Sequence, residues 1–542
     1  MPFDKGVFTL FFFLWLITAS CAYFVYAYFL QLKEYRLDRL KDFTLSPEGQ
    51  RMVWSYHFIP RTVLAFSLLT LLHSFFDTPF IFLIIIAVDF SITAFLFIRR
   101  KLRRPKFTLK ASLLIGCSLI VEALLILSMS DIFIVLFFLV MRGTIIVLMM
   151  FFLSVPTALL KRILVFRAKR KMKQFPKLIR IGITGSYGKT STKEFTAHIL
   201  SQKYRVLKTP KNTNTEVGIA RFILRSELSD VDVFVCEMGA YKRGEIRIIC
   251  DMVRPTIGVL TAISEQHLAL FGSIENIQQA KYELLRAIPE DGLVITNADN
   301  VYCMEPLSEL RCKGVETFGL DPERNPTCLT TDVKTSLVGT TFQGRYKGMS
   351  GEVHTPVLGA HHATNIAVAV MVAFHLHVSG ELIRKGCETL PKDIHGSLQI
   401  FQYGSAIVVD DSYNSNAAGF RSALDVLSLF PSNKKRVLIT RGMIELGDRS
   451  QEAHELIGEE ISLVVDELVV ITRDSFAALK QGVGSKYQTK IYLKDTFADL
   501  ALYIRSLKKT EAIILLENRL PEKIYHEIQQ EKTPYDNGAF PS

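Results

Sequence analysis

The sequence predicts an α-helical membrane module joined to α/β structure, the latter comprising a central phosphate-loop domain and a Rossmann-like C-terminal domain. Three observations predict this. Apolar runs of spanning length crowd the chain up to about Leu160. Lys and Arg fall in alternate connections between those runs. Beyond Lys177, short Val/Ile-rich runs end in glycine or polar residues and alternate with helical periodicity, as in open α/β sheets.

Composition sets the frame. The 542 residues are 49% hydrophobic and 22% charged, with a mean hydropathy of +0.24. That is too apolar for a purely soluble chain and too charged for a bundle of spans alone, so the two characters must be segregated. The expected division is a membrane module over 1–165, a basic linker over 166–177, a central domain over 178–390 and a C-terminal domain over 391–542. The 8 cysteines show no C-x-x-C spacing, which argues against a zinc site and a disulfide framework and fits a reducing compartment for the soluble part.

Five apolar runs are expected to span: Val7 to Leu30, Thr62 to Phe76, Pro79 to Ile98, Ala111 to Ser128 and Ile132 to Leu160. Further runs follow the first, so it reads as an anchor and not as a removed leader. Lys33 to Arg61, Arg99 to Lys110 and Lys161 to Lys173 are rich in Lys and Arg, whereas Asp77-Thr78 and Ser130-Asp131 carry none. The positive-inside rule then puts the N-terminus outside and the large C-terminal part in the cytoplasm of a multi-pass inner-membrane protein. These juxtamembrane cations account for most of the +11 net charge and leave no need for a nucleic-acid partner. Glu122 and Arg142 fall inside apolar runs, where an ionisable group is costly; a mutual pair and contact with a lipid-linked ligand both fit.

Leu178 to Thr184 reads as a buried strand, Gly185-Ser186-Tyr187-Gly188 as a turn, and Lys189 onward, with Phe195, Ile199 and Leu200, as a helix. Strand, glycine turn and helix start gather backbone N–H groups and the positive helix end around phosphate oxygens. Gly185, Ser186, Gly188 and Ser191 would line this cradle, Lys189 would reach the terminal phosphates of ATP, and the Thr190 hydroxyl would ligate Mg2+. Ile183 occupies the first glycine position of the full phosphate-loop motif. Glu237 closes the apolar run Asp232 to Glu237, which places a carboxylate at the C-terminal end of a strand, where open sheets bind ligands.

Thr184-Gly185-Ser186-Tyr187-Gly188-Lys189-Thr190-Ser191 resembles the shortened phosphate loop of the Mur ligases, the ATP-dependent amide-forming enzymes of peptidoglycan precursor synthesis. Further matches follow in order over about two thirds of the chain: Thr209 to Gly218, Val235 to Ala240, Ser264 to Ser273, Ala280 to Glu283, Asn297 to Asn300, Asn365 and Asp410 to Asn416. The last is most like the branch that joins D-alanyl-D-alanine to a UDP-N-acetylmuramoyl (UDP-MurNAc) tripeptide. The resemblance implies metal ligation by Glu237 and His267 beside Thr190, and a carbamylated Lys281 helping to hold a second Mg2+. It implies substrate contacts from Asn212, Asn214 and Glu216, and nucleotide contacts from Asn297, Asp299 and Asn365. Asp411 would meet the ATP ribose or magnesium, and Tyr413, Asn414 and Asn416 the nucleotide and the incoming amine. Lys189, Glu237, His267 and Lys281 carry the implied phosphoryl transfer, which activates a carboxylate as an acyl phosphate for attack by an amine.

The departures are specific. Mur ligases usually begin with a soluble UDP-binding domain, and here apolar runs take its place. Ser397 stands where the family commonly has arginine, His362 where it has asparagine, Arg441-Gly442-Met443 where the D-alanyl-D-alanine branch has Gly-Asp-Met, and Glu517-Asn518-Arg519 where it has Lys-Gly-Ser. A related ligase with another substrate, such as a polyglutamate-type enzyme, and a non-catalytic ATP-binding scaffold of cell-wall assembly therefore stay open beside the leading expectation.

Overall fold

The computed structural model describes residues 5–32, 35, 40, 43–44, 50, 67, 71, 78–99, 102–128, 141–211, 213–265, 268–305, 307–392, 397–412, 417–444, 449–484 and 488–535. The chain forms two compact units, Met1–Arg162 and Ile163–Ser542.

In the first unit lie α1 (Lys5–Leu32), α2 (Thr78–Ile98), α3 (Leu109–Ser128) and most of α4 (Arg142–Lys173). Thr9–Leu32, Leu109–Leu127 and Arg142–Lys173 are long and apolar enough to cross a membrane, and Ile84–Ile98 is a shorter apolar helix. Of the expected runs, Thr62 to Phe76 lies outside the described residues save Ser67 and Leu71, as does the start of the fifth. Phe11, Trp15, Ala19 and Tyr23 recur one turn apart on α1 and are buried with Ile85, Ile86, Leu114, Ile115, Ile145 and Ile146. Polar groups inside this core bond to one another, with Arg142 Nη2 left without a hydrogen bond. Glu122 Oε1 accepts from Arg142 Nε at 2.9 Å and Trp15 Nε1 at 2.8 Å, and Glu122 Oε2 accepts from Tyr23 OH at 2.7 Å. Arg142 Nη1 reaches Asp89 Oδ2 at 3.5 Å. Of the two roles open for Glu122 and Arg142, a mutual pair is what the geometry shows.

In the second unit, the basic stretch read as a linker is helical as far as Lys173. Ala168 and Met172 are buried against the central domain because they share one helix face, while the lysines and arginines between them face outward or cap neighbours. Lys171 Nζ donates to the Ser226 carbonyl at 2.5 Å, and Arg180 Nη2 to the Met172 carbonyl at 3.1 Å.

The central domain runs β1 (Ile179–Thr184), α5 (Lys189–Leu200), β2 (Val206–Lys208), α6 (Glu216–Arg225), β3 (Val233–Glu237), α7 (Glu245–Val253), β4 (Ile257–Leu260), α8 (Ile274–Ala287), β5 (Leu293–Asn297), β6 (Gly314–Gly319), β7 (Cys328–Ser336), β8 (Gly339–Tyr346), β9 (Met349–Thr355), α9 (His362–His375) and α10 (Gly380–Glu388). Among the described residues its sheet has nine strands in the order β2-β3-β1-β4-β5-β6-β7-β8-β9. The strands through β7 pair in parallel and the last two antiparallel. Continuous apolar strands are what a sheet covered on both faces requires. One face packs Ile181, Ile183, Val235 and Val259 under Phe195, Ile199, Ile366 and Met371, and the other packs Phe234, Cys236 and Val294 under Ile223, Ile249 and Leu284. Because β1 lies between β3 and β4, Ile183 pairs with Glu237 and Thr184 with Leu260, so three strand ends meet at one rim.

The C-terminal domain runs β10 (Gln399–Tyr403), β11 (Ala406–Asp411), α11 (Ala417–Ser428), β12 (Arg436–Thr440), α12 (Ser450–Val464), β13 (Glu467–Val470), α13 (Arg473–Val483), β14 (Lys490–Leu493), α14 (Phe497–Leu507), β15 (Ile513–Glu517), α15 (Glu522–Gln530) and β16 (Lys532–Pro534). Its sheet order is β14-β13-β12-β15-β11-β10-β16 among the described residues. Strands β14 to β11 in that order are parallel, so Asp411, Glu517 and Thr440 end neighbouring strands side by side.

Candidate nucleotide and metal site

The phosphate loop is shaped by what surrounds it. Gly185 has φ +154°, and a Cβ there would lie 2.0 Å from Thr261 Oγ1. Only glycine lets the backbone pass so close to the end of β4. Ser186 N donates to the Ala262 carbonyl at 2.7 Å, Ser264 N donates to Ser186 Oγ at 3.0 Å, and Thr261 Oγ1 donates to the Tyr187 carbonyl. Gly188, at φ +79°, leaves no room for a side chain beside Asn365 Oδ1, 2.8 Å from where a Cβ would be. Helix α5 then starts at Lys189, aiming its first N–H groups back at the loop.

Two lysines close over this turn. Lys189 Nζ donates to the carbonyls of Gly185 at 2.6 Å and Ser186 at 2.8 Å. Lys281, buried on α8, donates to the same Gly185 carbonyl at 3.0 Å. Burial pulls the Lys189 amine below its ordinary pKa, with Glu237 opposing. Burial and then the neighbouring Lys189 push Lys281 well below its own. The loop therefore holds one cationic arm and one amine biased toward the neutral form, the state that adds carbon dioxide.

Glu237 is gripped from three sides. Its Oε2 accepts from Thr190 Oγ1 at 3.1 Å and lies 3.3 Å from Lys193 Nζ, while Oε1 accepts from Asn214 Nδ2 at 3.1 Å. Its backbone N–H donates to Thr209 Oγ1 at 3.0 Å, which joins the β2 end to the β3 end. A hydroxyl and a carboxylate oxygen this close are hard donors that fit Mg2+, a cation held by one or two carboxylates together with phosphate oxygens. Glu216 opens α6 behind Asn214 and is buried, and Ser191 is buried on α5.

The remaining expected residues divide. Asn365 comes to the loop: its Oδ1 accepts from Thr192 Oγ1 at 3.1 Å and its Nδ2 donates to the His361 carbonyl at 3.2 Å. Asn297 donates to the Thr261 carbonyl at 3.1 Å and accepts from the Asp299 N–H, so it stitches the β5 end to the β4 end beside the loop. Asp299 accepts backbone N–H groups from Leu320 at 2.7 Å and Asp321 at 3.2 Å, which uses its carboxylate in a turn. Asp411 is buried at the β11 end, paired in register with Glu517. Asn212, His267, Tyr413, Asn414 and Asn416 lie outside the described residues.

Two contributors escaped the sequence reading, and a third, Glu517, was read there only as a departure from the family pattern. Lys193 repeats Lys189 one helical turn on, a spacing that puts both on one face. Thr261 sits at the β4 end, and Glu517 ends the apolar run Ile513–Glu517 just as Glu237 ends its own. That shared pattern of an acid closing a buried strand was the available signal. Burial and the adjacent Asp411 push the Glu517 carboxyl well above the usual carboxylate range.

Comparison with known proteins finds two family domains in the second unit. The Mur ligase middle domain matches residues 183–373, and the Mur ligase, glutamate ligase domain matches residues 398–519. The UDP-N-acetylmuramoyl-tripeptide--D-alanyl-D-alanine ligase of Synechocystis sp. is 32% identical over 339 residues, covering 61% of this chain and 68% of that one. The Escherichia coli enzyme of the same name is 31% identical over 316 residues, covering 58% and 69%. Among solved structures, MurF from Acinetobacter baumannii superimposes with a TM-score of 0.60 at 26% identity, over 68% of this chain and 80% of that one. MurF from Thermotoga maritima in complex with ADP gives 0.59 at 25% identity, over 68% and 84%. With two family domains matched in order and relatives of this identity covered over two thirds of their length, this chain belongs to the Mur ligase family.

Proposed function

We propose that this protein is an ATP-dependent ligase, anchored in the membrane through its N-terminal helices, that joins D-alanyl-D-alanine to a UDP-MurNAc-tripeptide in the cytoplasm. The observation that carries this reading is the convergence of Lys189, Lys281, Thr190 and Glu237 around one glycine turn at the ends of β1 and β3. A carboxylate has no leaving group for an amine to displace. Its oxygen therefore attacks the γ-phosphorus of ATP, forming a C–O–P link as ADP departs. The amine nitrogen then adds to the acyl carbon, the tetrahedral adduct expels phosphate, and the ammonium proton passes to solvent.

In that sequence Lys189, swung from the Gly185 and Ser186 carbonyls, follows the charge of the transferring phosphoryl group, and the α5 N-terminus stabilises the phosphates it faces. Thr190 and Glu237 would hold Mg2+, which supplies neutralisation of phosphate charge when bound. Lys281, kept near neutrality, would take up carbon dioxide and present a carbamate for a second cation. Asn214 orients Glu237, and Asn365 supports α5 through Thr192. Asp411 would meet the ATP ribose or magnesium, and Tyr413, Asn414 and Asn416 would face the nucleotide and the incoming amine. Phosphate release by the full-length protein in detergent, with UDP-MurNAc-tripeptide, D-alanyl-D-alanine and ATP, tests this; release requiring both the acid and the amine supports it.

The membrane reading rests on the three spanning-length apolar helices, with basic residues Arg170, Lys171 and Lys173 in the last turn of α4. One observation favours a second reading of the acceptor. Glu517 is a buried carboxyl beside Asp411 where the D-alanyl-D-alanine branch has lysine, so the positive charge of that lysine is missing here. Turnover with glutamate and none with D-alanyl-D-alanine would select it.

A further inference from the structure

Helix α5 carries a lysine with no place in the chemistry above. Lys193 is fully buried, and its ammonium donates to the Lys211 carbonyl at 3.0 Å and to Glu237 Oε2 at 3.3 Å, and pairs with Glu194 Oε1 at 3.2 Å. Two of its three donors are thus hydrogen-bonded, and two carboxylates face its charge. Glu194 is held in turn by Lys208. The oxygen that Lys193 shares is the one Thr190 Oγ1 approaches at 3.1 Å, the oxygen assigned to a divalent cation. That carboxylate thus already faces a fixed positive charge, and Lys189 adds a second within electrostatic reach.

We propose that Lys193 is a positioning residue that makes capture of the divalent cation depend on nucleotide. Resting on the nucleotide and metal reading of this site, it gives Lys193 two effects. Its hydrogen bond holds the Glu237 carboxylate toward Thr190, and through Lys211 ties it to the 209–215 loop. Its charge repels a dication arriving alone, in a buried setting where water and salt screen little. A triphosphate reverses the balance, because its oxygens bring several negative charges to the same cation. The cation then enters with ATP, and the empty enzyme keeps its carboxylate ordered without metal.

Mn2+ binding followed by electron paramagnetic resonance on the full-length protein in detergent tests this, with and without β,γ-methylene-ATP. The parent should bind Mn2+ at least ~10-fold more weakly without the analogue than with it, as expected for a site whose own charges nearly cancel. Lys193→Gln, which keeps an N–H for the Lys211 carbonyl and loses the charge, should tighten nucleotide-free Mn2+ binding by ~10-fold. Lys193→Arg should stay like the parent. A lysine that only packs would leave Mn2+ affinity unchanged in Lys193→Gln, and that result overturns the proposal. So does a parent that binds Mn2+ equally well without the analogue, a result that needs no variant. Absence of any analogue binding instead overturns the nucleotide reading beneath it.

Discussion

Lys189 and Lys281 donate to one and the same oxygen, the Gly185 carbonyl, at 2.6 and 3.0 Å. Two amines that share an acceptor with no carboxylate between them cannot both carry a proton cheaply. Burial lowers both, and Lys281, which faces the Lys189 charge without the Glu237 that opposes the shift of Lys189, is driven further toward neutrality.

This sets a pH dependence. The Lys281 amine titrates lower in the folded protein than in the unfolded chain, so between that depressed pKa and 10.5 the unfolded chain binds more protons. Stability should rise with pH across that window, by up to about 1.4 kcal/mol per pH unit, and Lys281→Met should flatten the rise. Denaturant titration of both proteins at several pH values reads it. With 13C-bicarbonate, the parent should show a carbamate carbonyl resonance that the variant lacks.

Gly185→Ala should abolish nucleotide binding. A methyl 2.0 Å from Thr261 Oγ1 must push the loop off the β4 end, and the backbone N–H groups lose their convergence. Equilibrium dialysis with ATP should show affinity down by ~100-fold or more, about 2.7 kcal/mol, the scale of losing a preorganised donor. Circular dichroism should be unchanged, because the clash is confined to the turn.

Glu517 titrates above an ordinary carboxyl through burial and the adjacent Asp411, so folding favours its protonated form. That contribution is complete below the unfolded pKa, near 4.5, and is lost as pH rises through the folded one. Glu517→Gln should therefore raise the melting temperature at pH 8 by roughly 2–4 °C, the response of a domain this size to ~1 kcal/mol. At pH 4 the two proteins should melt together.

Inside the first unit, Arg142 and Glu122 form the centre of the network that also holds Trp15, Tyr23 and Asp89. Glu122→Gln or Arg142→Met alone should destabilise the detergent-solubilised protein by about 3–5 kcal/mol, since each strands a buried charge. The double variant should recover part of that loss. Additive losses in denaturant titration would contradict a direct pair.

Much of the site was legible because local patterns decided it. Ile179 to Leu200 forms a strand-turn-helix from local sequence alone, and Glu237 needed only an apolar run ending in an acid. Lys193 was not legible, since a lysine on an amphipathic helix is ordinarily solvated, and its partners Lys211 and Glu237 lie on other elements. Asn297 and Asp299 were read as nucleotide contacts because polar residues follow a strand, and their bonds to Thr261, Leu320 and Asp321 were not readable from that pattern. The basic stretch at 166–177 read as a linker because charge dominates it; its part up to Lys173 is helical, with Ala168 and Met172 buried on one face.

Phosphate release from ATP by full-length parent and Lys189→Ala proteins, in the presence of UDP-MurNAc-tripeptide and D-alanyl-D-alanine, reads the central claim most directly. The expected result is release by the parent that requires both substrates and yields the pentapeptide, with Lys189→Ala slower by ~100-fold or more, the scale of a lost charge stabiliser in the transition state. Equal rates for the two proteins, or release indifferent to the amine, would contradict the account.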